Sequence, residues 1–86
     1  MLLNVLMPSR MFLNQPGVER VVVETTEGLF GLLPRRLDCV AALQPGILIY
    51  QCAGGGETYV AVDAGVLVKV GSEITVSVRN AVGGSD

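Results

Sequence analysis

The chain contains no histidine and no tryptophan, and only two cysteines, two tyrosines and two phenylalanines. Lysine occurs once, as Lys69. Without histidine, the commonest general base and metal ligand is missing. Cys39 and Cys52 form no CxxC pair, and a zinc site needs about four Cys, His or carboxylate ligands, so no metal is expected. A disulfide between them has little support in a cytosolic chain, so both read as small buried apolar residues. Charged residues make up 16% of the chain, against about 25% in ordinary soluble domains. Six basic residues stand against eight acidic ones, a formal net charge of −2. That leaves no basic excess to neutralise phosphates, and nucleic acid is not expected as a partner. No uninterrupted apolar run approaches the roughly 18–20 residues that span a bilayer. Residues Met1 to Met7 lack the basic start and the long apolar stretch of a signal peptide, so a cytosolic location is expected.

What is abundant is apolar surface. Hydrophobic residues are 50% of 86. A chain of this size forms one domain and buries only roughly 60–65% of its unfolded surface. Its core is too small to hide that much, so part of the apolar surface is expected to face a partner. The same composition excludes disorder.

Eleven glycines and four prolines divide the chain into short segments. The longest stretch free of both is Ser72–Val82. Within it Ile74, Val76 and Val78 alternate with Thr75, Ser77 and Arg79, the period of a half-buried strand. A three-turn amphipathic helix has almost nowhere to fit. Leu2–Leu6, Arg10–Leu13, Val18–Thr25, Gly28–Leu33, Ile47–Cys52, Thr58–Val62 and Ala64–Val70 read as further strands; Leu37–Leu43 fits a strand or a helical turn. Ala53 to Glu57 is predicted to close one hairpin and Gly71-Ser72 a second, tight one. Eight to ten short strands at regular spacing predict an all-β, antiparallel sandwich or small barrel. Residues 1–82 form the domain, and 83–86 read as the start of a polar linker.

Motifs that carry chemistry are nearly absent. Gly54-Gly55-Gly56 is followed by no Gly-Lys-Ser/Thr, and Tyr59 stands where GxGxxG needs its third glycine, so the run reads as a turn. Cys39 has no histidine base and Lys69 is nowhere near it in sequence. The carboxylates are scattered, with no pair marked for acid–base work. No cofactor and no catalytic residue is assigned, and the chain is expected not to be an enzyme. Two segments stand out. Glu27 to Asp38 joins a Gly-bounded apolar strand, a proline stop, two adjacent guanidinium groups and a carboxylate, an interface composition; equally, it is a solvated loop in which Arg36 and Asp38 pair locally. Tyr59 to Val70 is apolar on both faces, as in a central strand or one beneath a partner.

The same segments carry a resemblance. Gly28-Leu29-Phe30-Gly31-Leu32-Leu33-Pro34 looks like the Gly-x-x-Gly-Ile-Leu-Pro strand and turn of the N-terminal β-domain of the epsilon subunit of F-type rotary ATP synthases, the delta subunit of mitochondria. Ala42-Leu43-Gln44-Pro45-Gly46 resembles that family's Ala-Leu-x-Pro-Gly turn. Tyr59 to Val68 resembles its Val-x-Gly-Gly-Phe/Ile/Val-Leu-Glu-Val hairpin, and Ile74 to Val78 its last strand. Each motif alone is weak, but order and spacing agree over nearly the whole chain. Arg35-Arg36-Leu37-Asp38 replaces the family's usual Gly-His-Ala-Pro, and Leu29 stands where an acidic residue is common. The Arg-Arg-Leu-Asp-Cys-Val stretch looks like the alternate, sodium-type branch.

The resemblance implies a ten-stranded flattened sandwich and a non-catalytic place in the central stalk, bound to the gamma subunit and the membrane c-ring. There it would help couple ATP synthesis and hydrolysis to proton or sodium translocation. It implies a peripheral location on the cytoplasmic face of the bacterial membrane, with membrane association only through the complex. It places Leu29, Phe30, Arg35, Arg36 and Asp38 in a ring-facing loop: the arginines would meet ring carboxylates or carbonyls, Leu29 and Phe30 would add apolar contact, and Asp38 would meet a ring arginine or lock Arg36. The family's C-terminal helical hairpin is expected to be absent from these residues. Exposed apolar strands also predict self-association of the isolated chain. The alternative is a lipoyl- or biotinyl-type carrier with Lys69 as the modified residue. Lys69 precedes the Gly71 turn in a Val-flanked strand, rather than occupying a hairpin tip.

Overall fold

The computed structural model describes residues 1–83. These form ten strands: β1 (Leu2–Met7), β2 (Arg10–Gln15), β3 (Val18–Thr25), β4 (Gly28–Leu32), β5 (Cys39–Leu43), β6 (Gly46–Cys52), β7 (Glu57–Val62), β8 (Gly65–Val70), β9 (Glu73–Val78) and β10 (Ala81–Gly83). The ambiguous Leu37–Leu43 segment resolves as a strand over Cys39–Leu43, because it gains a full antiparallel partner in β8. Of the linker expected over 83–86, Gly83 belongs to β10 and pairs with Val60; the remainder lies outside the described residues.

The strands follow one hydrogen-bonded path that divides into two five-stranded sheets. The first runs β10-β7-β6-β3-β4 and the second β5-β8-β9-β1-β2. They are joined at the Thr25–Leu43 pair. The sandwich is antiparallel with one departure: β1 pairs with β9 in parallel, from Leu2 opposite Glu73 to Leu6 opposite Ser77. Strand alternation carries no information about which strand will lie alongside which, so this pair was not foreseeable.

Alternation does decide what is inside. Leu3 and Val5, Val21 and Val23, Leu48 and Tyr50, Val60 and Val62, and Ile74, Val76 and Val78 all point between the sheets and form one core cluster. Each strand offers every second side chain to the interior, because successive Cβ atoms point to opposite faces. Cys39 and Cys52, read as buried from the sequence, are half-buried against this cluster, with free thiols. Both sit near strand ends, where the sheets no longer close over them.

Two glycines fit their places for geometric reasons. Gly71 has a φ of 59° and starts the two-residue turn between β8 and β9, a left-handed conformation that costs a side-chain-bearing residue more. Gly65 lies in β8 against β9, and a Cβ there would collide with the Ser77 carbonyl oxygen and the Val78 side chain.

Candidate functional site

The six residues Leu33 to Asp38 link β4, on the edge of the first sheet, to β5, on the edge of the second. All six are exposed. Pro34 cannot donate to a ladder and stops β4. Arg36 N then donates to Leu33 O at 3.0 Å, closing a turn.

The arginines and the carboxylate are held differently from the local pairing that the loop composition suggests. The Arg36 guanidinium lies over the Phe30 ring, 4.2 Å from its centroid, a cation–π contact. Asp38 Oδ1 accepts from Gly71 N at 2.8 Å. Arg36 and Asp38 therefore do not lock each other: Phe30 and the β8–β9 turn hold them instead. Arg35 lines a shallow concavity with Glu19, Leu33 and Pro34. Leu29 stands apart. In the β3–β4 pairing Phe30 is opposite Val23, whose side chain is in the core, whereas Leu29 is opposite Glu24 on the outer face. Leu29 is 78% exposed there. Of the five residues read as one site, the structure thus groups Phe30, Arg36 and Asp38, puts Arg35 beside them in sequence, and turns Leu29 to the other side of its strand.

Lys69 occupies an inward position in β8, between Cys39 of β5 and Ile74 of β9. It is 1% exposed. Its Nζ donates to Arg36 O at 2.6 Å and to Gly71 O at 2.7 Å. A lysine so enclosed cannot be presented to a modifying enzyme, and the carrier reading has no support. Its role as a tether was not legible in the sequence, where the only unusual signal is a lysine at a core-parity position between two valines.

A larger feature covers the outer face of the first sheet. Val82 of β10, Ala61 of β7 and Ile47 of β6 lie side by side. Next to them run Tyr59 of β7, Ile49 of β6, Val22 of β3 and Gly31 of β4. Val82 is 62% exposed, Ile47 46% and Tyr59 40%. This accounts for the two-faced hydrophobicity of Tyr59 to Val62: Val60 and Val62 are core, whereas Tyr59 and Ala61 face out. One corner of the face is polar. Arg20 forms an ion pair with Glu57, which also accepts from the Tyr59 hydroxyl at 2.8 Å. The Tyr59 hydrogen bond, followed by that from Arg20, holds the Glu57 carboxyl below its ordinary pKa; the same bond raises the Tyr59 phenol.

Among the described residues no three His, Cys, Asp or Glu side chains converge as a metal site, and no helix is long and apolar enough to cross a membrane. The arrangement offers a basic, tethered loop and a broad apolar face, both surfaces for docking. Residues 1–84 match the model of the ATP synthase delta/epsilon chain β-sandwich domain. The chain belongs to that family.

Similar delta/epsilon-type chains include ATP synthase epsilon chain 2 of Cereibacter sphaeroides, 33% identical over 85 residues, or 98% of this chain and 58% of that one. The ATP synthase epsilon chain of Sulfurovum sp. is 36% identical over 61 residues, 71% of this chain and 47% of that one. The chain thus spans about half the length of these curated relatives. Among solved structures, a chain of the Euglena gracilis mitochondrial ATP synthase (OSCP/F1/c-ring) superposes with a TM-score of 0.85 at 24% identity, over 94% of this chain and 51% of that one. A chain of the Tetrahymena thermophila mitochondrial ATP synthase central stalk and c-ring gives 0.78 at 17% identity, over 95% and 65%. At those identities the two structures support the delta/epsilon β-sandwich fold.

Proposed function

We propose that this domain is a non-catalytic rotor part of an F-type ATP synthase, linking the gamma subunit to the membrane c-ring. It takes part in coupling ATP synthesis and hydrolysis to proton or sodium translocation. In this reading the outer face of the first sheet seats the gamma subunit, and Phe30, Arg35, Arg36 and Asp38, at the β4–β5 loop, face the ring. Leu29 adds apolar contact from the outer side of β4. The domain is held at the cytoplasmic face of a bacterial membrane through the complex, without inserting itself.

The observation that carries this reading is the apolar row Val82–Ala61–Ile47 with Tyr59 beside it, left open to solvent on a domain of this family. Torque is transmitted through interfaces that do not yield, and a stable one buries roughly 1,600 Å² in total with apolar and aromatic residues at its centre. A catalytic reading has nothing comparable: the chain has no histidine, and its one lysine is tied to backbone carbonyls.

The test is gel filtration with light scattering of the chain mixed with the gamma subunit of the same genome. A stable one-to-one complex is expected. Two separate peaks from a chain that is folded by circular dichroism would count against the rotor reading. For the ring-facing loop, Arg35→Glu combined with Arg36→Glu is expected to weaken coupling of ATP hydrolysis to ion pumping while the domain still folds. Coupling equal to wild type would refute that site.

A further inference from the structure

We propose that Lys69 is a positioning residue: buried and out of reach of any partner, it holds the β4–β5 loop in the shape that displays Arg35 and Arg36. The proposal rests on the ring-facing reading of that loop.

An ammonium group is expensive to bury, by several kcal/mol even after relaxation, unless its charge is paired. Lys69 is 1% exposed, yet among the described residues the only side-chain ion pair joins Arg20 and Glu57. Two backbone carbonyls, of Arg36 and Gly71, accept hydrogen bonds from it instead. A valine or leucine would fill an inward slot between Cys39 and Ile74 without that cost, so the fold alone does not call for a lysine here. What the lysine adds is a bond to the loop.

The loop needs such a bond. Leu33 to Asp38 are all exposed and give no side chain to the core cluster. A segment of that length without anchors would sample many conformations. Its tethers converge on one place: Lys69 takes the Arg36 carbonyl, and Asp38 takes the Gly71 N–H while Lys69 also takes the Gly71 carbonyl. The loop and the β8–β9 turn thereby become one unit. Pinning the Arg36 backbone leaves its guanidinium on Phe30 and presents Arg35 beside it. Ordering done before binding is not charged again on binding, which is how preorganisation raises affinity. The two exposed cations at this end, Arg35 and Arg36, also suit a partner surface of carboxylates and carbonyls.

The test compares Lys69→Met, which keeps the stem and loses every donor, with Lys69→Gln, which keeps an N–H donor. Amide hydrogen exchange of the chain is measured at residues 33–38 and in core strands β6 and β9. Affinities are then measured for the gamma subunit and for the detergent-solubilised c-ring of the same genome. In Lys69→Met, exchange in the loop is expected to rise about tenfold or more with the core unchanged. Ring affinity is expected to fall about tenfold and gamma affinity to stay the same. Lys69→Gln is expected to lie between the Met variant and wild type, and if Lys69→Met does not fold, wild type against Lys69→Gln carries the comparison. Loop exchange that does not change, or that rises equally in both variants, would overturn the tether. A freed loop with undiminished ring affinity would overturn the positioning role. Arg35→Glu with Arg36→Glu separates the two ideas: if that variant binds the ring normally, the ring-facing reading has failed, whereas the loop exchange still reports on Lys69.

Discussion

The two sheets are built alike inside and differently outside. Both send alternating valine, leucine and isoleucine into a shared core. On the outside, the first sheet is apolar across β10, β7, β6 and Val22 of β3, bounded on β3 by Glu24 and at one corner by Arg20, Glu57 and Tyr59. The second sheet is split. Val40, Val66, Val68 and Val70 make an apolar block on β5 and β8. Beside it, Asn4 donates to Glu73 at 2.7 Å and accepts from Asn14 at 2.6 Å, tying β9, β1 and β2 together through polar side chains. A side chain that already satisfies its neighbour gains little from a partner, whereas an open apolar row loses water when one arrives. The difference is why the proposed gamma docking is placed on the first sheet.

The largest effect tests what the sheets share. Gly65→Ala puts a methyl group into the Ser77 carbonyl, and backbone has nowhere to retreat inside a ladder. A loss of roughly 3 kcal/mol or more is expected in urea unfolding, at the upper end of overpacking costs. Leu48→Ala in the first sheet and Leu67→Ala in the second remove fully buried side chains. Each is expected to cost about 2–5 kcal/mol by the same measurement; a large inequality between them would show that the core is not common to both sheets.

The outer faces come next. Ile47→Arg on the first sheet is expected to weaken gamma binding about 100-fold, near 2.7 kcal/mol, with thermal stability little changed. Val66→Arg on the second is expected to change that affinity less than threefold. Isothermal titration decides, and equal losses would erase the distinction between the faces. The smallest effect concerns the polar corner. Glu57 is held low by Tyr59 and Arg20, so its contribution to stability is present above its unfolded pKa and fades as pH falls through the folded value. Tyr59 is held high, so its contribution is present below its unfolded pKa and fades as pH rises through the folded one. Tyr59→Phe is expected to move the Glu57 titration back toward ordinary carboxylates, as followed by carbon NMR of the side chain.

Much of this was legible in residues. Ile74, Val76 and Val78 declared their strand and their buried face, and Gly71-Ser72 declared the tight turn. The Gly-bounded segment around Phe30 and the Pro34 stop marked the β4–β5 loop as unusual. The misread parts share one cause. The local Arg36–Asp38 pairing, one of two readings of that loop, and the burial of both cysteines were inferences about residues whose partners are distant in sequence; which of Leu29 and Phe30 faces the core could not be told from their adjacency either. Phe30 faces Val23 and Leu29 faces Glu24 because β3 lies alongside in one register, and a shift of one residue would exchange them.

The sequence by itself determined the strand content, the turn positions, the in-or-out parity along each strand and the absence of a histidine-based active site, because these follow from period-two hydrophobicity, glycine and proline geometry, and composition. Only the tertiary structure decided that β1 runs parallel to β9, that one outer face is open and apolar while the other is half tied by asparagines, and that the one lysine lies inside holding a loop. Those outcomes depend on which strands become neighbours, and the chain settles that only when the two sheets close over a common core.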